Sequence, residues 1–204
     1  MNRFSLLLSI AVLLSACSGS KDASAQKAPL SETAPANFRV NFDTSRGPVV
    51  VEITRDLAPH GADRLYSLVK AKYFDGARFF RVVPNFMVQW GMAADPAVSR
   101  NWDVPIPDDP VKETNARGTI SFAATSQPNS RSTQMFINYA DNARLDAMGF
   151  APLGKVVSGM DIVDQLYSED REKPDQMMIK ELGNTYLEKE FPHLDYIKTA
   201  RISQ

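Results

Sequence analysis

The amino-acid sequence predicts a mainly β domain, a closed antiparallel barrel with a few peripheral helices. Two observations carry this. Apolar and polar residues alternate with period two in many short segments, and only isolated segments show the three-to-four-residue spacing of an amphipathic helix. No internal repeat is found, and 204 residues suffice for one domain with a substantial core.

The elements follow in order. Phe38, Val40 and Phe42 alternate with Arg39, Asn41 and Asp43; Ser45, Arg46 and Gly47 then make a turn. Val49, Val51 and Ile53 alternate with Val50, Glu52 and Thr54, which completes a hairpin of half-buried strands. Pro59 suits the first turn of a helix, and Ala62, Leu65, Tyr66 and Val69 continue it at helical spacing over residues 59–71. Strands follow at 79–83 and 86–91, and a Pro-, Asp- and Asn-rich loop occupies 93–117. Further strands lie at 118–123, 134–138 and 153–157. Residues 159–167 form a second helix through Met160, Val163, Leu166 and Tyr167. Residues 176–190 add a third helix, with Leu182 and Tyr186 on one side, and residues 196–202 form a closing strand.

The first residues stand outside this domain. Asn2 and Arg3 precede an apolar stretch, residues 6–14, of signal-peptide length, which ends in Leu14-Ser15-Ala16-Cys17. That tetrapeptide resembles the lipobox of bacterial lipoproteins. The resemblance implies cleavage before Cys17, lipid attachment to it (palmitate among the acyl chains) and a place in the cell envelope. Ser18, where an aspartate would suggest inner-membrane retention, points to the outer membrane facing the periplasm. The expected organisation is a signal peptide at 1–16, a lipidated N-terminus and flexible linker at 17–36, and a folded domain at 37–204. The linker is rich in Ala, Ser, Lys and Pro. Cys17 is the single cysteine, so an intramolecular disulfide is excluded.

Composition excludes other classes. A net charge of -1 is not the footprint of a nucleic-acid binder. No apolar run reaches the length of a retained membrane span. His60 and His193 are the only histidines, and neither lies in a cluster suited to a metal or to a Ser-His-Asp site. Asp108 and Asp109, before Pro110, read as the start of a turn.

Residues 79–91, FFRVVPNFMVQWG, hold the most informative pattern. One arginine, Arg81, stands among bulky apolar side chains with no partner nearby in sequence. Such a charge is costly to bury unpaired. Alternation places Arg81 with Val83 on one strand face, and Met87, Gln89 and Gly91 on one face after the Pro84-Asn85 turn. The pattern suggests an apolar pocket with a single cationic donor.

Together with GTISFAATSQPNSRSTQMFIN at 118–138 and LDAMGFAPLGKVVSGMDIVDQLY at 145–167, this stretch resembles the cyclophilins. The order and spacing of the three segments match over residues 38–202. The resemblance implies a closed eight-stranded antiparallel barrel capped by two helices, here with an extra C-terminal helix, and a peptidyl-prolyl cis-trans isomerase (rotamase) that assists protein folding. It implies that Arg81 is catalytic and that Phe86, Met87 and Gln89 line the proline pocket and its edge. Gln134 and Phe136 match the family glutamine and pocket phenylalanine. Ala123, Ala124 and Thr125 match the run that binds substrate backbone, where the family usually has a central asparagine. The stretch 126–133 is one residue longer than in the best-known members, so positions 124–133 allow a register one residue away. Leu145 matches the pocket leucine. Phe150, or Gly149 in the alternative alignment, stands where many members have histidine. Arg144 replaces a tryptophan that contacts cyclosporin, so weak drug sensitivity is expected.

Rotation about X-Pro makes and breaks no bond, so no metal and no cofactor is expected. The implied partners are proline-containing polypeptides and, through the anchor, a membrane, with the chain acting as a monomer. Two functions compete at this level: an isomerase acting on envelope proteins, and a proline-peptide-binding chaperone module with little turnover.

Overall fold

The computed structural model describes Met1 and residues 32–203. The signal-peptide segment, Cys17 and most of the linker lie outside the described residues. The last stretch of the expected linker, however, is built into the domain. The Glu32 amide donates to Ser67 Oγ at 2.9 Å, the Ala34 amide to Asp63 at 2.8 Å, and Ala34 is buried. Contacts with the domain therefore extend back to residue 32, within the expected linker.

Eight strands form one antiparallel, strongly curled sheet. They are β1 (Asn37–Thr44), β2 (Pro48–Thr54), β3 (Arg81–Val83), β4 (Met87–Trp90), β5 (Thr119–Phe122), β6 (Met135–Asn138), β7 (Pro152–Ser158) and β8 (Ile197–Ser203). Their order across the sheet is β3-β4-β6-β5-β7-β2-β1-β8. The edge strands β3 and β8 do not pair along their length. Instead the chain just before β3 bridges the gap. Arg78 pairs with Tyr196, the Phe79 amide donates to the Asp195 carbonyl at 3.0 Å, and the Ile197 amide to the Ala77 carbonyl at 2.9 Å. These bonds satisfy edge groups that would otherwise face solvent unpaired.

Alternation accounts for the interior. Phe38, Val40 and Phe42 of β1 and Val49, Val51 and Ile53 of β2 enter one core with Leu65, Leu68 and Val69 of α1 (Pro59–Lys70). The first residue outside α1, Ala58, gives no side-chain cap. Asp109 supplies it from the long loop: its carboxylate accepts from the His60 amide at 3.0 Å and the Gly61 amide at 2.8 Å. The Asp108-Asp109 pair is thus more than a turn, because Asp108 also accepts from Arg131. An anion at this position suits the positive end of the helix.

Three helices differ from expectation. The loop at 93–117 contains α2 (Pro96–Trp102), capped by Asp95, whose carboxylate accepts from the Ala97 amide at 2.8 Å. The second expected helix shortens to α3 (Met160–Asp164). The expected helix at 176–190 is broken into α4 (Gln176–Leu182) and α5 (Asn184–Glu190). The break is at Gly183, whose φ of 56° is left-handed and where a Cβ would overlap the Ala94 carbonyl. Ile179 and Leu187 face inward, while Leu182 is exposed. They join Phe80, Met92 and Leu194 in a small core of their own. Among the described residues no helix is long and apolar enough to cross a membrane.

Candidate functional site

Strands β4 and β6 are buried on both faces, and each face has a different task. Val88 and Trp90 of β4 and Met135 and Ile137 of β6 belong to the barrel core. The alternate residues Met87 and Phe136 point outward and pack with Leu145 in a separate cluster, joined by Val83, Phe86, Ala123 and Phe150. Strand register sets a polar row beside it: Arg81 lies opposite Gln89, and Gln89 opposite Phe136. Gly91 follows β4 with φ 111°, where a Cβ would overlap the Thr133 carbonyl, so the chain leaving the strand and the Thr133-Gln134 backbone can close together.

The result is a cleft of about 290 Å³ on the outside of the barrel. Arg81, Phe86, Met87, Gln89, Ala123, Ala124, Thr125, Gln134, Phe136, Leu145 and Phe150 all line it. The structure thus brings together every pocket residue that the sequence singled out. Phe150, rather than Gly149, forms the wall, its ring 5.6 Å from that of Phe136 in an edge-on arrangement. Gly149 lines a neighbouring groove, which meets the cleft at Ala124, Thr125 and Phe150.

Arg81 is not unpaired. Its Nε donates to Glu172 Oε1 at 2.7 Å, and Nη2 donates to the same oxygen. Nη1 faces the cleft, 3.2 Å from Gln89 Oε1 and 3.9 Å from Met87 Sδ. Gln89 Nε2 in turn donates to Gln134 Oε1 at 2.7 Å. Both ends of the Gln89 amide are therefore engaged, and the Gln134 amide nitrogen is the end of this chain without a partner among the described residues. The Ala123 amide is also committed, donating to the Gln134 carbonyl at 2.9 Å, so it offers no free donor to a ligand. Arg144 lies over the Phe86 ring at 4.7 Å, on a ring that Arg81 also approaches at 5.8 Å.

Several residues absent from the sequence reading shape the site. Behind the wall, Asn115 Nδ2 donates to Asp146 Oδ1 (2.7 Å) and to the Phe150 carbonyl (2.8 Å). Asn142 Nδ2 donates to the Phe86 carbonyl and to Asn138 Oδ1, both at 2.8 Å. Asn138 Nδ2 donates to Asn115 Oδ1 (3.2 Å) and Thr119 Oγ1 (2.9 Å). These amides thus tie Phe86, Phe150 and the turn bearing Leu145 to one another. Asp146 is held below the usual carboxylate range by the Thr114 hydroxyl and then, against burial, by the Asn115 side chain and backbone.

On the opposite rim stand Asp103, Ser132, Gln176 and Lys180. Burial pushes the Asp103 carboxyl up, but hydrogen bonds from Ser132 Oγ (2.7 Å) and Lys180 (3.2 Å) win and hold it low. Asp95 before Pro96 was a readable start signal for α2, the helix that leads to Asp103. Glu172 carried no such signal, because its partner lies 91 residues away. Among the described residues no cluster of metal-ligating side chains is found.

The family model described as cyclophilin type peptidyl-prolyl cis-trans isomerase/CLD matches residues 39–184. A peptidyl-prolyl cis-trans isomerase of Acinetobacter baylyi is 38% identical over 142 residues, covering 67% of this chain and 76% of that protein. Peptidyl-prolyl cis-trans isomerase A of Dickeya dadantii is 35% identical, covering 65% of this chain and 73% of its own. Among solved structures, a Cryptosporidium parvum cyclophilin determined in the presence of the dipeptide Ala-Pro superposes with a TM-score of 0.62 at 20% identity, over 81% of this chain and 99% of that one, a likeness of fold. With the curled eight-stranded sheet, these matches establish that the chain belongs to the cyclophilins and is a peptidyl-prolyl cis-trans isomerase.

Proposed function

We propose that the outer cleft is the isomerase site and that Arg81 drives the reaction. The observation that carries this is the orientation of Arg81 Nη1 toward an apolar cleft floor built by Phe86, Met87, Phe136 and Leu145. An X-Pro bond resists rotation with a barrier of roughly 18–20 kcal/mol, because resonance gives the C–N bond double-bond character. Twisting breaks that resonance and leaves a lone pair on a pyramidal prolyl nitrogen. A donor that meets this lone pair stabilises the twisted amide more than the planar one, which is the requirement for catalysis.

The apolar side chains hold the proline ring. The guanidinium donates to the nitrogen. Gln134, the free end of the Arg81-Gln89-Gln134 chain, holds the neighbouring carbonyl with a donor polarised by the cation behind it. An acceleration of about 10⁵-fold corresponds to about 7 kcal/mol. One hydrogen bond from a charged group contributes roughly 1.5–3 kcal/mol. The remainder falls to the apolar floor, which would strengthen the field of Arg81 once a substrate covers it, and to the grip on the ring. The adjoining groove beyond Thr125 gives an extended chain room to continue past the proline.

Arg81→Ala, assayed on a proline peptide, is expected to lower kcat/KM by about 100-fold, two powers of ten being about 2.7 kcal/mol, with the thermal midpoint near that of the wild type. Wild-type turnover in this variant would exclude the mechanism.

We also propose that the substrates are cell-envelope proteins and that the chain is a lipoprotein anchored at Cys17, facing the periplasm from the outer membrane. The supporting observation is the sequence Leu14-Ser15-Ala16-Cys17 after an apolar stretch. Cys17→Ser should move the protein from the membrane to the soluble fraction on cell fractionation; retention in the membrane would refute the anchor.

A further inference from the structure

The chain between α3 and α4 brings one carboxylate to the mouth of the cleft. Its course is shaped locally. Arg171 holds a left-handed φ of 49°, the Arg171 amide turns back to the Ser168 carbonyl at 3.3 Å, and the Lys173 amide to the Asp170 carbonyl at 2.9 Å. The Arg171 carbonyl then accepts from the Val82 amide on the edge strand β3 at 3.1 Å. This clamps the turn directly beside Arg81, and the next side chain, Glu172, meets the guanidinium. Its Oε1 takes both Nε and Nη2, leaving Nη1 for the cleft.

We infer that Glu172 is a positioning residue for the isomerase reaction, fixing two nitrogens of the Arg81 guanidinium so that the third is aimed at the prolyl nitrogen. This rests on the role given to Arg81 above. A guanidinium is a planar fork, so holding one edge fixes the direction of the other. Arg81 is only partly covered, with 29% of its side chain exposed, and without Glu172 its long side chain would sample other rotamers. Positioning of this kind acts in the transition state, where the nitrogen lone pair exists, and is nearly silent for the planar ground state. It therefore predicts a particular kinetic pattern.

The test is Glu172→Gln, with Glu169→Gln as the control. Glu169 lies in the same segment, is exposed, and has no hydrogen-bond partner among the described residues. Both variants remove the same charge. Glu172→Gln should lower kcat about five-fold, the upper end of what an exposed ion pair contributes, with KM and thermal midpoint unchanged. Glu169→Gln should leave both constants at wild-type values. A kcat unchanged in Glu172→Gln, or lowered equally in Glu169→Gln, overturns the proposal. So does a higher kcat, which would mean that the carboxylate competes with substrate for the guanidinium, and so does a change in KM alone. Arg81→Ala separates the two readings. If Arg81→Ala keeps wild-type kcat, the role of Arg81 itself falls; if it is inactive while Glu172→Gln is not impaired, only the positioning role falls.

Discussion

Behind the cleft, Asn115, Asn138 and Asn142 exchange hydrogen bonds as neutral amides sealed from solvent, whereas at its mouth Arg81 and Glu172 pair as full charges within reach of water. The difference is energetic. A buried amide that loses its partner keeps its desolvation penalty, about 1–3 kcal/mol for each orphaned group. An exposed ion pair contributes roughly 0.2–1 kcal/mol to stability. The rear network therefore serves stability, because it ties Phe86, Phe150 and the Leu145 turn into one wall. The front pair adds little to stability; in the proposed mechanism it aims the Arg81 guanidinium, whose Nη1 faces Met87 and Gln89. On that proposal, rigidity and reactivity fall to different chemistries on two sides of the same cleft.

The largest effect that tests this division is on rate. Arg81→Ala should depress catalysis by about two powers of ten and leave the urea midpoint almost unmoved; a large stability loss would break the contrast from the front. Asn138→Ala tests it from the rear. It strips partners from Asn115, Thr119 and Asn142 together, and should destabilise the fold by about 3 kcal/mol, read from urea unfolding. The folded fraction should keep most of its turnover. If this variant instead lost its rate at wild-type stability, the rear network would be part of the chemistry.

A smaller effect concerns acid. The folded Asp146 carboxyl is depressed, chiefly by the Thr114 hydroxyl. Its contribution is therefore fully present above the unfolded value of about 3.9 and is lost as pH falls through the folded value. Stability followed from neutral pH down past about pH 4 should fall less steeply in Asp146→Asn than in wild type. Identical slopes would remove Asp146 from the rear network's account.

How much of this was legible in the sequence depends on whether a residue's role is local. Strands β1 and β2 were readable because Phe38, Val40, Val51 and Ile53 face one core with strict alternation. The pocket residues were readable because Met87, Gln89 and Phe136 lie on two short paired strands, with Phe86 and Gln134 immediately before them, in an order kept within a recognisable motif. Asn115 was not, since an asparagine in a Pro- and Asp-rich loop looks like turn chemistry until β5 and β6 close around it. Glu172 carries no signal in the sequence, and Arg81 looked unpaired, because only the docking of the turn onto β3 unites them. The single expected helix at 176–190 failed at Gly183 for a tertiary reason, its close approach to Ala94.

Asp109 carries a further consequence. The two amides that it holds, on His60 and Gly61, lie in the first turn of α1, where no preceding helical carbonyl can take them. Their protection from deuterium exchange is therefore set by the loop that carries Asp109 and not by the helix to which they belong. Local opening of that loop, which leads on to Asn115, would show first as faster exchange at these two protons. These two amides thus serve as a gauge of how often the wall behind the cleft comes loose.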